Sequence, residues 1–117
     1  MDVRVVDDDP DLASAIKRVL ENQGYRCRCA CNGAHALDEA ASAKPSLVLL
    51  DMVMPVMHGW DCARALRTLY GNDLSIVLVS AIADADRADV GANGVLPKPF
   101  GLDDLLRVVG TYAAPTS

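Results

Sequence analysis

The chain has 117 residues, the length of one domain, and 51% of them are hydrophobic, enough to bury a single core without staples. Its net charge is −5 at pH 7 with no basic cluster, which argues against direct nucleic-acid binding, and no apolar run approaches the roughly 20 residues of a membrane span. The N-terminus lacks a basic region followed by an apolar stretch, so no secretory signal is expected and the predicted compartment is the cytoplasm.

Short apolar runs alternate with amphipathic stretches. Val3–Val6 is the first expected strand. Pro10–Asn22 reads as a helix with Leu12, Ile16, Val19 and Leu20 on one face, and Gly24 stops it. Arg26–Ala30 is the second strand and Ala34–Ser42 a short helix closed by Lys44–Pro45. Leu47–Leu50 is the third strand, a continuous apolar run as expected of a strand covered on both faces. Gly59–Tyr70 is a helix, Leu74–Val79 the fourth strand, Gly94–Leu96 a short fifth strand, and Leu102–Tyr112 the last helix, with Leu102, Leu105, Leu106 and Val109 inward. Residues 114–117 read as a tail or the start of a linker. Strands alternating with helices predict an α/β, doubly wound parallel sheet with helices on both faces.

Ligands in such sheets bind beyond the C-terminal strand ends, near a switch point in strand order. That rule selects residues. The first strand ends at Asp7, Asp8 and Asp9, the third at Asp51, the fourth at Ser80, and the fifth is followed by Lys98. The acidic run is the puzzle, because the next basic residue after it is Lys17. Asp7, Asp8 and Asp51 bring three negative charges into one crevice, Lys98 returns one positive charge, and a divalent cation would return the rest. Oxygen ligands favour Mg²⁺ or Mn²⁺ over zinc. Asp9 precedes Pro10 and reads as a helix N-cap, with a contribution to the metal site as the alternative. Taken singly, an Asp after a strand is usually a turn residue, a Lys-Pro a loop, and a Ser at a strand end is satisfied by backbone. Their joint occurrence at one sheet edge points instead to a carboxylate, Asp51, poised beside a metal and an ammonium to attack a phosphoryl group.

Four separated segments, VVDDDPDL, LVLLDMVMPVMHGW, IVLVSA and GVLPKPF, resemble in order and spacing the receiver domain of bacterial two-component response regulators, of the chemotaxis-regulator kind, over about residues 2–113. The resemblance implies a single receiver domain over 1–117 with a flavodoxin-like (βα)5 fold and strand order 2-1-3-4-5. It implies Asp51 as phosphoacceptor and Asp7 and Asp8 as the acidic pair holding Mg²⁺, with the backbone carbonyl of Val53 as a further ligand. Ser80 matches the switch hydroxyl and Lys98 the active-site lysine. The implied partner is a histidine kinase or a histidine phosphotransfer protein, with an output domain or protein downstream. Such a domain modifies itself and is not an enzyme with a diffusible substrate.

The sequence departs from that pattern in two places. Val95 stands where these receivers usually carry Tyr or Phe, and valine has no ring to swing between inward and outward states. The stretch from Ser80 to Lys98 is about one helical turn short, which predicts a shortened or partly disordered fourth helix near Ala83–Asp89. These departures motivate a competing reading, a docking module that works without phosphorylation. A small Mg²⁺-dependent phosphatase using Asp51 is a weaker competitor, because Val53 occupies the place of its second acid. Cys27, Cys29 and Cys31 alternate as small apolar filler on one strand face, with redox or adventitious metal binding as the alternative; His58 reads as an exposed loop residue, with a pH-sensitive contact near Asp51 as the alternative, and Trp60 as a packing residue near Asp51.

Overall fold

In the computed structural model, which describes residues 2–30, 36, 38, 45–51, 59–71, 74–80, 93–97 and 100–112, the apolar runs become five parallel strands. They are β1 (Asp2–Val6), β2 (Arg26–Ala30), β3 (Leu47–Asp51), β4 (Ser75–Ser80) and β5 (Gly94–Pro97). Their order across the sheet is β2-β1-β3-β4-β5, as expected. The helices α1 (Pro10–Asn22), α2 (Gly59–Tyr70) and α3 (Leu102–Tyr112) have the bounds the periodicity predicts. Of the predicted helix over Ala34–Ser42, Ala36 and Asp38 are helical and the remainder lies outside the described residues, as does the predicted fourth helix.

Side chains alternate across the pleat, so the sheet divides the core in two. Val6, Val48, Leu50, Ile76 and Leu78 pack on one face with Cys62, Ala63 and Leu66 of α2. Val3, Val5, Leu47, Leu49, Val77, Val79 and Leu96 pack on the other with Ala13, Ile16 and Leu20 of α1 and with Leu105 and Val109 of α3. One expected core residue is corrected. Leu102 is 55% exposed. Its angular position on α3 is right, but it is the first residue of the helix, and the preceding Phe100 packs against the cluster instead. Arg4, inside a run that read as apolar, is buried at 2% exposure.

The helix ends are built from local chemistry. Asp9 is the α1 N-cap, with Pro10 at the first helical position. At the other end Gly24 turns the chain at φ +92°, a conformation L side chains rarely adopt, and the Tyr25 N–H returns to the Leu20 carbonyl. Gly94 meets a different need, since a Cβ there would come within 2.8 Å of the Tyr112 hydroxyl. At the N-terminal end of the sheet, Arg67 of α2 ties three segments together. Its Nη1 donates to the carbonyls of Gly71 (2.8 Å) and Leu74, and its Nη2 to Asn93 Oδ1 (2.6 Å). Asn93 Oδ1 also accepts from Ile76 N at 2.9 Å, which fixes the entry to β5 against β4.

Cys27 and Cys29 do share the face toward α1, and the Cys29 thiol donates to the Ala13 carbonyl at 3.5 Å; Cys31 lies outside the described residues. Burial pushes the Cys27 thiol from its ordinary 9.0 up to about 12, and Cys29 and Glu21 add to the rise. The folded thiol therefore keeps a proton that the unfolded chain releases above pH 9.0, so the thiol's contribution to stability falls as pH rises from there to about 12. Urea midpoints of the parent and Cys27→Ala, compared at neutral and alkaline pH, should show a shallower alkaline loss for the variant. Equal losses would place the titration elsewhere.

Candidate functional site

The first strand pair sets the geometry. β1 lies between β2 and β3, with Val6 in register with Ala30 on one side and Leu50 on the other. The chain leaves β1 toward β2 and returns past it to β3, so β1 and β3 flank the switch point. Asp7 follows β1, and its N–H donates to the Ala30 carbonyl at 3.1 Å. Asp51 is the last residue of β3, paired in register with Val79. The backbone of Asp7 is thus tied to β2 and that of Asp51 to β4, which brings both residues to the C-terminal edge of the sheet.

These residues converge as expected. Carboxylate oxygens of Asp7, Asp8 and Asp51 all lie within 4.8 Å of one another. Asp7 is 4% exposed and Asp51 7%, whereas Asp8 faces solvent. At an effective dielectric of 20, two full charges 4.8 Å apart repel by about 3.5 kcal/mol. The buried pair carries most of that strain, because solvent screens the exposed third. The donor set is all oxygen, without nitrogen or sulfur, and one side is open to water. This fits a hard divalent cation that keeps part of its hydration shell, and it does not fit zinc.

Asp9 resolves toward the cap. Its Oδ1 accepts from Asp11 N at 3.1 Å and from Leu12 N at 3.3 Å, and it is not among the three clustered acids. Its own N–H, however, donates to Asp7 Oδ1 at 2.9 Å. The cap is legible from Pro10 and the residue type, whereas nothing in the residue types points to that second bond. Ser80 closes β4 in register with Pro97, which places its backbone at the same sheet edge; its side chain lies outside the described set. Lys98 follows directly on β5, and Lys98, Val53 and His58 lie outside the described residues, as does the Trp60 side chain. Val95 is half-buried and packs on the α2 face of the core.

A family model described as the response regulator receiver domain matches residues 3–110. The chain belongs to that family. This receiver domain is 38% identical over 110 residues to the response regulator MprA of Mycobacterium avium (strain 104), covering 91% of the chain and 48% of MprA. It thus spans about half the length of the curated relatives it matches. Among solved structures, it superposes on the chemotaxis protein CheY4 of Vibrio cholerae with a TM-score of 0.89 at 28% identity, covering 95% of this chain and 97% of that one. The response regulator TrrA of Thermotoga maritima, solved in complex with Mg²⁺–BeF, gives a TM-score of 0.86 at 31% identity, with coverage of 95% and 97%. A receiver domain is a signalling module of two-component systems. No helix among the described residues is long and apolar enough to cross a membrane.

Proposed function

We propose that this receiver domain accepts a phosphoryl group on Asp51 from a phosphohistidine, carried by a histidine kinase or a histidine phosphotransfer protein. The observation that carries the reading is the convergence of Asp7, Asp8 and Asp51 within 4.8 Å at the switch point of a receiver fold. Asp51 supplies the nucleophilic oxygen. The P–N bond of the donor breaks as the Asp51 P–O bond forms, and the imidazole leaves with the electron pair. Asp7, Asp8, Asp51 and the Val53 carbonyl would hold Mg²⁺, for which Mn²⁺ could substitute. When bound, Mg²⁺ supplies positive charge to the oxygens of the transferring group. Lys98 adds its ammonium to the same oxygens, and the Ser80 hydroxyl donates to one of them.

Hydrolysis of the acyl phosphate resets Asp51, so the domain turns over only its own modification. Val95 brings no aromatic ring to its position on β5, which favours output through another surface or a role in relaying phosphate. The thiols Cys27, Cys29 and Cys62, none of them in a disulfide, support a reducing cytoplasmic location.

Incubation with acetyl phosphate and Mg²⁺ should add the mass of one phosphoryl group, and chelation of the metal should prevent it. Intact mass spectrometry reads this directly. An unmodified chain under conditions that load other receiver domains would overturn the reading.

A further inference from the structure

We infer that Asp9 is a positioning residue for the metal-binding carboxylate Asp7, acting through its backbone N–H and not through its own charge. The inference rests on the proposed Mg²⁺ site and extends it to a residue outside the acidic triad. Three bonds form a chain. Asp9 Oδ1 accepts the Asp11 and Leu12 N–H groups, which fixes Asp9 at φ −91°, ψ 103° against the first turn of α1. In that conformation the Asp9 N–H donates to Asp7 Oδ1 at 2.9 Å. The Asp7 carboxylate, 4% exposed, is thereby held in the orientation in which it meets Asp8 and Asp51.

Position and charge can be separated. Asp9 is exposed and lies outside the cluster within 4.8 Å, so its carboxylate is spent on the helix cap. A neutral side chain that still caps should hold Asp7 equally well, whereas one that cannot cap should release the backbone. Groups that orient a ligand commonly tune metal affinity by an order of magnitude or more. The N–H itself survives every substitution except proline, so a smaller effect is expected here.

The test is the Mg²⁺ dissociation constant of the whole chain by calorimetric titration, for the parent and for Asp9→Asn, Asp9→Ala and Asp9→Gly. Asn and Ala both remove the charge, but only Asn keeps an oxygen that can cap. We expect Asn to bind within about twofold of the parent, and Ala and Gly about three- to tenfold more weakly. Gly is the second arm because it is well tolerated at an N-cap, so the fold is kept while the capping oxygen is lost. A near-parent unfolding midpoint with weakened Mg²⁺ binding is an outcome that a merely structural cap would not give. Equal constants for all four proteins would overturn the inference and leave the metal site standing. So would Asn and Ala weakened alike, which would assign the effect to charge. No Mg²⁺ uptake by the parent would overturn the proposed site and this inference together.

Discussion

Asp51→Asn should take up no phosphate from acetyl phosphate and Mg²⁺, under conditions in which the parent chain is expected to gain one phosphoryl group. The amide is nearly isosteric with the carboxylate but lacks the anionic oxygen that must attack phosphorus. The same substitution should raise stability in metal-free buffer. Asp7 and Asp51 are both buried, and their oxygens lie within 4.8 Å of each other, so removing one charge relieves their mutual repulsion. A gain of about 1–3 kcal/mol is expected, below the full Coulomb figure because nearby dipoles and solvent already screen the pair. The sign reverses with metal present. Mg²⁺ at one thousand times its dissociation constant should stabilise the parent by about 4.1 kcal/mol, and the variant by much less. Urea titrations with chelator and with Mg²⁺ would show the two curves exchanging order. A variant that still gains phosphate would move the phosphoacceptor away from Asp51, and one less stable than the parent without metal would contradict the repulsion between Asp7 and Asp51.

Leu66→Ala should cost about 2–5 kcal/mol, a large part of the roughly 5–15 kcal/mol by which a domain of this size is stable. Leu66 is fully buried on the inner face of α2, between that helix and the strands carrying Val48, Leu50, Ile76 and Leu78. Truncation removes the transfer energy of the side chain and leaves a cavity among rigid neighbours. Leu69, on the same helix but 48% exposed, provides the contrast; Leu69→Ala should cost under about 1 kcal/mol. Mg²⁺ binding by folded Leu66→Ala should persist at low temperature, because Asp51 is placed by its pairing with Val79 and the Asp7 backbone by its bond to Ala30. Equal losses from the two leucines would contradict the packing described for α2.

The elements were legible because their signals are local. Leu47–Leu50 announced a strand buried on both faces, and Leu12, Ile16 and Leu20 marked the inner face of α1. Knowing where the strands end was enough to bring Asp7, Asp8 and Asp51 together, since parallel strands deliver their C-terminal residues to one edge. What stayed hidden depends on non-local contacts or on backbone dihedrals. Arg4 is flanked by valines and alternates with them, so nothing in the run distinguishes a buried guanidinium from an exposed one. Arg67 is one of several charged residues on α2, and its value lies in Asn93, 26 positions away. Asp9 could be read as a cap from Pro10 alone, but its N–H reaches Asp7 only because of the extended backbone at that position. Leu102 misled because periodicity fixes a residue's angle around a helix and not whether anything lies opposite it.

The division of the core by the sheet has a consequence for how the sequence can vary. Side chains on the α2 face and on the α1/α3 face share strands but are separated by a layer of hydrogen-bonded backbone. Substitutions on opposite sides should therefore combine additively, while those within one layer should show epistasis. Each layer can be rewritten on its own by drift or by design, and the carboxylate edge will register the change only when the strands themselves shift.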